Sequence, residues 1–360
     1  MLKLLEPLRI GHLSLKNSMA MAPMTRSRAS FDGVVGDSTV LYYTQRSSAG
    51  LIISEAINIS KQATGSPLTP GLYSQEQINA WKKVTKAVHE NGGLIFAQLW
   101  HTGRVGHSLV KNGDLPVAPS AIAIKGQQHF TMEGNKDYET PVALTLSDIE
   151  QIKKDYKQAA VNAMEAGFDG VELHAAFGYL PNQFLAESSN QRTDQYGGSH
   201  ENRNRFVVEV MKELVSAVGE KKAAVRLSPT STYNNMIHEE PVEQFSLLIK
   251  ELNQMPLAYL HLMKVPFQAD KFPKYPADPI ELFGKMSSHP VIANCGYTRE
   301  TGETELQRGI ARLISYGTLF LANPDLPKRF ELNAALNEAD RTTMYGGKDK
   351  GYIDYPFLNK

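Results

Sequence analysis

The segment Ala166-Gly167-Phe168-Asp169-Gly170-Val171-Glu172-Leu173-His174 follows a long stretch of helical period and carries a short, mainly apolar run that stops at a histidine. Gly167 ends the helical pattern, as a glycine just past a helix C-terminus does. The run from Phe168 to His174 is too short for a further helix and predicts a strand. Upstream, Ser147–Gly167 predicts the helix. There Ser147-Asp148-Ile149-Glu150 has capping-box spacing, with serine at the cap and glutamate three residues on.

The same pairing of helix and strand recurs in both directions. Strands are predicted over Ser18–Met24, Gly50–Ser54, Leu94–Leu99, Phe168–His174, Ala223–Ser228, Ala258–Met263, Val291–Asn294 and Leu313–Tyr316. Most are unbroken apolar runs, as parallel strands buried on both faces require. Amphipathic stretches between them include Gln75–Glu90, Asn202–Val218 and Pro241–Asn253. Roughly eight β-then-α units without a composition shift predict an α/β fold of the (β/α)8 TIM-barrel class, with residues 1–360 as one domain. The rival, an open doubly wound sheet, usually carries G-x-G-x-x-G after its first strand. None stands there. Residues 118–145, rich in Gly, Gln and charge, resemble neither strand nor long helix and are expected to form an insertion capping the barrel.

Composition narrows the partners. Lys plus Arg and Asp plus Glu number 38 each, so the formal net charge is zero. Such a chain has no field to attract nucleic acid or an anionic membrane. An apolar fraction of 42% supports a sizeable core. Cys295 is the only cysteine, which excludes an intramolecular disulfide and a four-thiolate cluster within this chain. The apolar run at the start is broken by Lys3, Glu6 and Pro7, too early for a signal peptide. No window approaches the roughly 20 apolar residues of a membrane helix. The expectation is a cytoplasmic protein with a small-molecule partner, neither nucleic acid nor membrane; oligomeric state is not legible.

In a barrel of this class the active site lies at the C-terminal ends of the strands. The strand ends read Ala22-Pro23-Met24-Thr25-Arg26, then Ser54-Glu55-Ala56, then Gln98-Leu99-Trp100-His101-Thr102-Gly103-Arg104. The fourth and fifth end Glu172-Leu173-His174, with Tyr179 five residues on, and Arg226-Leu227-Ser228-Pro229. No carboxylate and histidine cluster marks a metal site, and no local Ser-His-Asp motif is present. Donors and aromatic surface gathered at one mouth suit a flat, polar-edged organic cofactor better than hydrolysis.

Over essentially the whole chain the sequence resembles the Old Yellow Enzyme family of FMN-dependent NAD(P)H oxidoreductases. The first, third and fourth strand ends carry the likeness. So does Ser189-Asn190-Gln191-Arg192-Thr193-Asp194-Gln195-Tyr196-Gly197-Gly198-Ser199, followed by Glu201-Asn202-Arg203. Ala322-Asn323-Pro324-Asp325-Leu326 and Tyr345-Gly346-Gly347 continue it. The resemblance implies FMN as cofactor, NAD(P)H as co-substrate, and reduction of the C=C bond of α,β-unsaturated carbonyl compounds.

It also implies roles. Thr25 would bond the flavin's C4 carbonyl, Gln98 its pyrimidine edge and Arg226 the N1 side, where reduced flavin is negative. The alternative for Arg226 is a buried ion pair with Glu172 or another carboxylate; for Thr25 and Gln98 it is ordinary strand-end capping. Pro23 and Ala56 would pack on the ring. Gly296, Gly317 and Thr318 would receive the phosphate, through amides and a helix N-terminus. His174 would hold the substrate's oxygen, and Tyr179 would be the proton donor; either is otherwise a packing residue. Trp100, Phe177 and Tyr345 would line the substrate pocket. Ser66 stands where an aromatic is common.

Two departures stand out. The family commonly has arginine after the Gly317 position, where this chain has Thr318, so weaker FMN binding is expected unless Arg299 substitutes. Three residues after His174 the family places asparagine or histidine, and here Phe177 cannot donate. Reduction of nitro compounds or nitrate esters on the same flavin is therefore one alternative function, and a flavin-binding or degenerate non-enzymatic barrel is another.

Overall fold

A computed structural model describes residues 2–358; Met1, Asn359 and Lys360 lie outside the described residues. The run ending at His174 is one of eight parallel strands that close on themselves. They are β1 Met19–Met21, β2 Leu51–Asn58, β3 Ile95–Trp100, β4 Gly170–Ala175, β5 Ala223–Leu227, β6 Leu260–Met263, β7 Val291–Asn294 and β8 Ala311–Tyr316. Each pairs with the next, and β8 returns to β1 with Ile314 opposite Met19 and Tyr316 opposite Met21. Closure leaves no unpaired edge. Successive strands are joined through α1 Asp37–Gln45, α2 Gln75–Glu90, α3 Leu146–Glu165, α4 His200–Val218, α5 Pro241–Leu252, α6 Pro279–Met286 and α7 Arg299–Gln307; α8 Leu326–Leu332 follows β8. This is the (β/α)8 barrel expected.

The core divides by face. Side chains such as Ile52, Ala97, Val171, Val225 and Ile314 pack outward with helix residues such as Trp81, Ile152, Met211 and Phe245. A second, smaller cluster joins Ala20, Ile53, Phe96, Ala224, Ile292 and Leu313 to Ile10, Leu13 and Leu15. The last three belong to a hairpin, Leu8–Ile10 with Leu13–Leu15, that plugs the N-terminal end of the barrel. One end of the lumen is thus filled with hydrocarbon, leaving the other for polar chemistry.

Several boundaries differ from the sequence reading, for local reasons. The capping box of α3 uses Thr145 and Asp148 rather than Ser147 and Glu150. The Thr145 hydroxyl accepts the Asp148 N–H at 3.2 Å, and the Asp148 carboxylate accepts the Thr145 N–H at 2.8 Å. Glu150 pairs instead with Lys153. The second strand continues through Ser54-Glu55-Ala56 to Asn58, its register shifting between Ile53 and Ala56. The first strand is shorter than read, since only Met19–Met21 are in the ladder.

The insertion between β3 and α3 contains strands that its polarity concealed. Val117–Ala118 pairs with Val142–Ala143, and Gln128–Thr131 forms a hairpin with Gly134–Asp137. His129 and Thr131 are buried while Gln128 and Phe130 are exposed, the two-residue period of a one-sided strand. The most specific motif of the sequence anchors this cap. Arg192 makes a two-pronged pair with Asp194 and donates to the carbonyls of Pro119 and Leu144, at the insertion's two ends.

Glu55 is a buried carboxyl in the shifted part of β2, accepting the Arg26 N–H at 3.2 Å. Burial pushes its pKa up to about 7, against the opposing pull of Arg26. A raised folded-state pKa contributes stability that is present below the unfolded value near 4.5 and lost as pH rises through 7. Chemical denaturation of wild type and Glu55→Gln across pH 4 to 8 is expected to show the variant gaining relative stability with pH, on the order of 3 kcal/mol by pH 8. Parallel pH profiles would show that Glu55 is not held neutral.

Candidate active site

At the C-terminal ends of the strands the lumen opens into a cavity of about 1290 Å³. All the residues predicted to act line it. Pro23 and Thr25 arrive just after β1, Ala56 on β2, and Gln98 and Trp100 on β3. His174 comes from β4, with Phe177 and Tyr179 in the turn beyond, and Arg226 from β5. Gly296 follows β7, Gly317 and Thr318 follow β8, and Tyr345 comes from the C-terminal segment. Ser66 lines the wall as well.

The floor is a hydrogen-bonded layer crossing the barrel axis. Gln98 Nε2 donates to the Glu172 carboxylate at 2.7 Å, and His261 Nδ1 lies 2.9 Å from its other oxygen. His261 Nε2 then meets the Ser315 hydroxyl at 2.8 Å. Strands β4, β6 and β8 are not neighbours, so these contacts run through the interior. Burial tends to raise the Glu172 pKa, but His261, Arg226 and Gln98 outweigh it and hold the carboxyl below its ordinary value. Arg226 does not form the hydrogen-bonded ion pair with Glu172 considered from sequence. Its Nη2 donates to the Asn294 amide oxygen at 2.8 Å, and its buried Nε has no partner.

Above the floor stands an aromatic group. Tyr179 meets Trp100 edge-on at 4.9 Å and His174 edge-on at 4.8 Å between ring centroids. His174 is buried, and burial, then Arg226 and His261, push its pKa well below the usual histidine value. It is a neutral imidazole at pH 7. Burial raises the Tyr179 phenol above its ordinary pKa, so it keeps its proton. Phe177 sits at φ +55°, a left-handed conformation unusual for a bulky residue. Its N–H donates to the Ser228 hydroxyl and its carbonyl accepts from Asn234 Nδ2, which fixes that backbone. Its ring lies 5.8 Å from the Arg226 guanidinium carbon.

The opposite end of the cavity is glycine-rich, and none of the described residues lining it is a Lys or Arg. Cys295 and Gly296 have φ of +100° and +74°, exposing successive backbone groups. Arg299 does not substitute for the missing arginine. Its Nε donates to the Phe330 carbonyl at 2.8 Å, its Nη1 faces Glu300, and it is not part of the cavity wall. Thr318, beside Gly317, is exposed and begins a helix of only five residues, Thr318–Ala322.

Sequence reading missed Asn294, Met263, Ser315 and His261, the first three lining the cavity. A polar residue in an otherwise apolar strand, His261 within Leu260–Met263, was the available signal. It also missed Phe130, Met132 and Tyr138, which the insertion brings to the wall. Nothing in their local sequence announces that. Arg226 is the only Lys, Arg, Asp or Glu among the described residues lining the cavity. No group of three or more His, Cys, Asp or Glu among the described residues could hold a metal ion, and no described helix is long and apolar enough to cross a membrane.

A flat anionic cofactor fits this site. Arg226 Nε, His174 Nδ1 and Trp100 Nε1 are buried nitrogens without partners in residues of one wall. Such groups are costly unless a ligand or water satisfies them. The volume exceeds the roughly 300–1,000 Å³ of an ordinary small-molecule site, leaving room for a second molecule.

Comparison with known proteins agrees with this geometry. The family described as NADH:flavin oxidoreductase / NADH oxidase matches residues 3–337. The chain is 42% identical over 361 residues to 12-oxophytodienoate reductase 1 of Oryza sativa subsp. japonica, covering 99% of this chain and 93% of that one. An Old Yellow Enzyme homologue from Zymomonas mobilis superposes with a TM-score of 0.94 at 42% identity, covering 99% of this chain and 100% of that one. Morphinone reductase in complex with tetrahydroNAD does so at 0.93 and 44% identity, covering 99% and 98%.

The exposed Thr318 leaves room for a longer side chain. Thr318→Arg is expected to tighten FMN binding to apoprotein about tenfold, the scale of one charge-assisted hydrogen bond. Fluorescence titration measures it, and an unchanged dissociation constant would place the phosphate elsewhere.

Proposed function

The chain belongs to the NADH:flavin oxidoreductase / NADH oxidase family, that of the Old Yellow Enzymes, and on that premise we propose that it reduces the C=C bond of α,β-unsaturated carbonyl compounds with NAD(P)H through FMN. The observation that carries the proposal is the convergence of Arg226, His174 and Tyr179 on one cavity whose only Lys, Arg, Asp or Glu among the described residues is a cation. FMN, when bound, would supply the redox chemistry, hydride transfer from reduced nicotinamide to the alkene's β-carbon.

The chain's own residues bind, orient and protonate. Arg226, with its free Nε, would hold the edge of the ring that becomes negative on reduction. Thr25 and Gln98 would take its polar edges, Pro23 and Ala56 its faces, and Gly296, Gly317 and Thr318 its phosphate. His174 donates to the acceptor's oxygen as a neutral imidazole, drawing electron density from the alkene. Tyr179, a neutral phenol braced between Trp100 and His174, gives its proton to the α-carbon as hydride reaches the β-carbon. Trp100, Phe177 and Tyr345 offer a flat substrate apolar walls. All these residues come from one barrel, and residues 1–360 are taken as one domain. A cytoplasmic location belongs to the same proposal, because the reaction draws on reduced nicotinamide.

Phe177 favours a second reading on the same flavin. It removes one of the two donors the family presents to an acceptor, which penalises weakly polarised enones most. Nitro compounds, whose own group withdraws electrons strongly, depend less on it.

Anaerobic protein reconstituted with FMN is expected to lose its visible flavin absorbance with NADPH or NADH and regain it with 2-cyclohexenone. Failure of both steps with FMN bound would reject the proposal. In Tyr179→Phe, turnover of the enone should fall about 10²-fold while reduction by nicotinamide is unchanged. Phe177→Asn replaces a bulky residue at positive φ with one that tolerates it and restores a donor. Enone kcat/KM should rise at least tenfold relative to β-nitrostyrene, the reverse of removing one such donor, with no loss of thermal stability. An unchanged enone-to-nitro ratio would show that Phe177 does not set acceptor choice.

A further inference from the structure

The proposed mechanism gives no role to Glu172 and His261 in the buried layer beneath the cavity. Glu172 has no exposed surface, nor does His261. Both lie in the barrel's interior directly under the residues assigned to the flavin. Gln98 and Glu172 are cross-strand partners on β3 and β4, and Arg226 and His261 on β5 and β6.

Two consequences follow from elementary chemistry. A carboxylate only accepts hydrogen bonds, so the Gln98 amide must turn its nitrogen to Glu172. With the nitrogen turned to Glu172, its carbonyl oxygen is left free as an acceptor suited to an N–H on a cofactor's edge. The second consequence is electrostatic. Arg226 stands opposite His261 in the strand register, His261 bonds Glu172, and Glu172 is the strongest negative influence on Arg226, acting through low-dielectric interior. Glu172 therefore offsets part of the positive field that Arg226 projects into the cavity.

We propose that Glu172, held by His261, is a positioning residue that fixes the Gln98 amide and sets the reduction potential of the bound flavin by partly neutralising Arg226. The inference rests on the proposed function for its ligand. His261 takes part as a neutral ring, because burial lowers its pKa against the pull of Glu172. It stabilises the carboxylate by donating Nδ1–H, and its other nitrogen accepts from the Ser315 hydroxyl. Removing the carboxylate charge leaves Arg226 uncompensated and favours anionic reduced FMN. Removing His261 withdraws a donor from Glu172, makes its charge more strongly felt at Arg226, and disfavours reduced FMN.

The opposite signs separate this role from a structural one. In dye-equilibrated anaerobic titrations of the FMN-loaded protein, Glu172→Gln is expected to bind reduced FMN at least tenfold more tightly relative to oxidised FMN than wild type does. That is a rise of about 30 mV or more for the two-electron couple. His261→Phe should shift the potential downward. If Glu172→Gln does not fold, the downward shift of His261→Phe carries the test alone. Unchanged potentials in both variants, or shifts of the same sign, would overturn the inference while leaving the functional reading intact. Wild-type apoprotein that takes up no FMN would overturn both.

Discussion

A carboxylate at the axis of a barrel, with no solvent contact, survives as an anion only if other groups replace the water it has lost. Glu172 is such a group, and its partners are Gln98 on the neighbouring β3 and, from across the lumen, His261 on β6 and through it Ser315 on β8. Gln98 sits on the adjacent strand, but β6 and β8 are not neighbours of β4 and reach it only because the cylinder closes. Closure in turn depends on the ladder between β8 and β1 and on the apolar plug formed by Ile10, Leu13 and Leu15. The hydrocarbon floor at one end and the ionic layer near the other are two parts of one arrangement. The first excludes water; the second uses the resulting low dielectric to hold a charge pattern in place.

That pattern explains the character of the mouth above it. With Arg226 as the only Lys, Arg, Asp or Glu among the described residues of the wall, the site suits one anionic edge and otherwise neutral, flat molecules. Aromatic rings braced edge-to-face around Tyr179 provide the rest of the surface. Phe177 and Cys295, both in the cavity lining, have left-handed backbone, and at Phe177 neighbouring loops pin it by hydrogen bonds from Asn234 and to Ser228. Strain of that kind persists when surrounding structure over-determines it. Here the turn after β4 must carry His174, Phe177 and Tyr179 past one another within a few residues.

The longest signature in the sequence does not touch the cavity. Ser189 to Ser199 instead ties the chain after β4 to the ends of the insertion through Arg192, and the following Arg203 bonds the Leu185 carbonyl, Glu187 and Gln244. It identifies the family because the insertion must be held over the mouth, a mechanical requirement. The residues proposed to carry the chemistry lie at strand ends and in the turns just beyond, and it is there, at Phe177 and Thr318, that this chain departs from the pattern it resembles.

The sequence by itself determined the alternation of strand and helix, because parallel strands buried on both faces leave unbroken apolar runs. It also located the polar strand ends Thr25, Gln98, His174 and Arg226, since chemistry begins where such a run stops. Boundaries were less legible where a polar residue sits inside a strand, as Glu55 does, or where the capping pair was Thr145 and Asp148 rather than the neighbouring Ser147 and Glu150. Tertiary structure alone decided which buried groups satisfy one another. Arg226 turned to Asn294 rather than bonding Glu172, His261 became part of the site's foundation, and Arg299 was drawn away to Phe330. Hydrogen-bond partners 31 to 89 residues apart, as these are, leave no periodic trace in a sequence; they are selected by distance and burial once the barrel has closed.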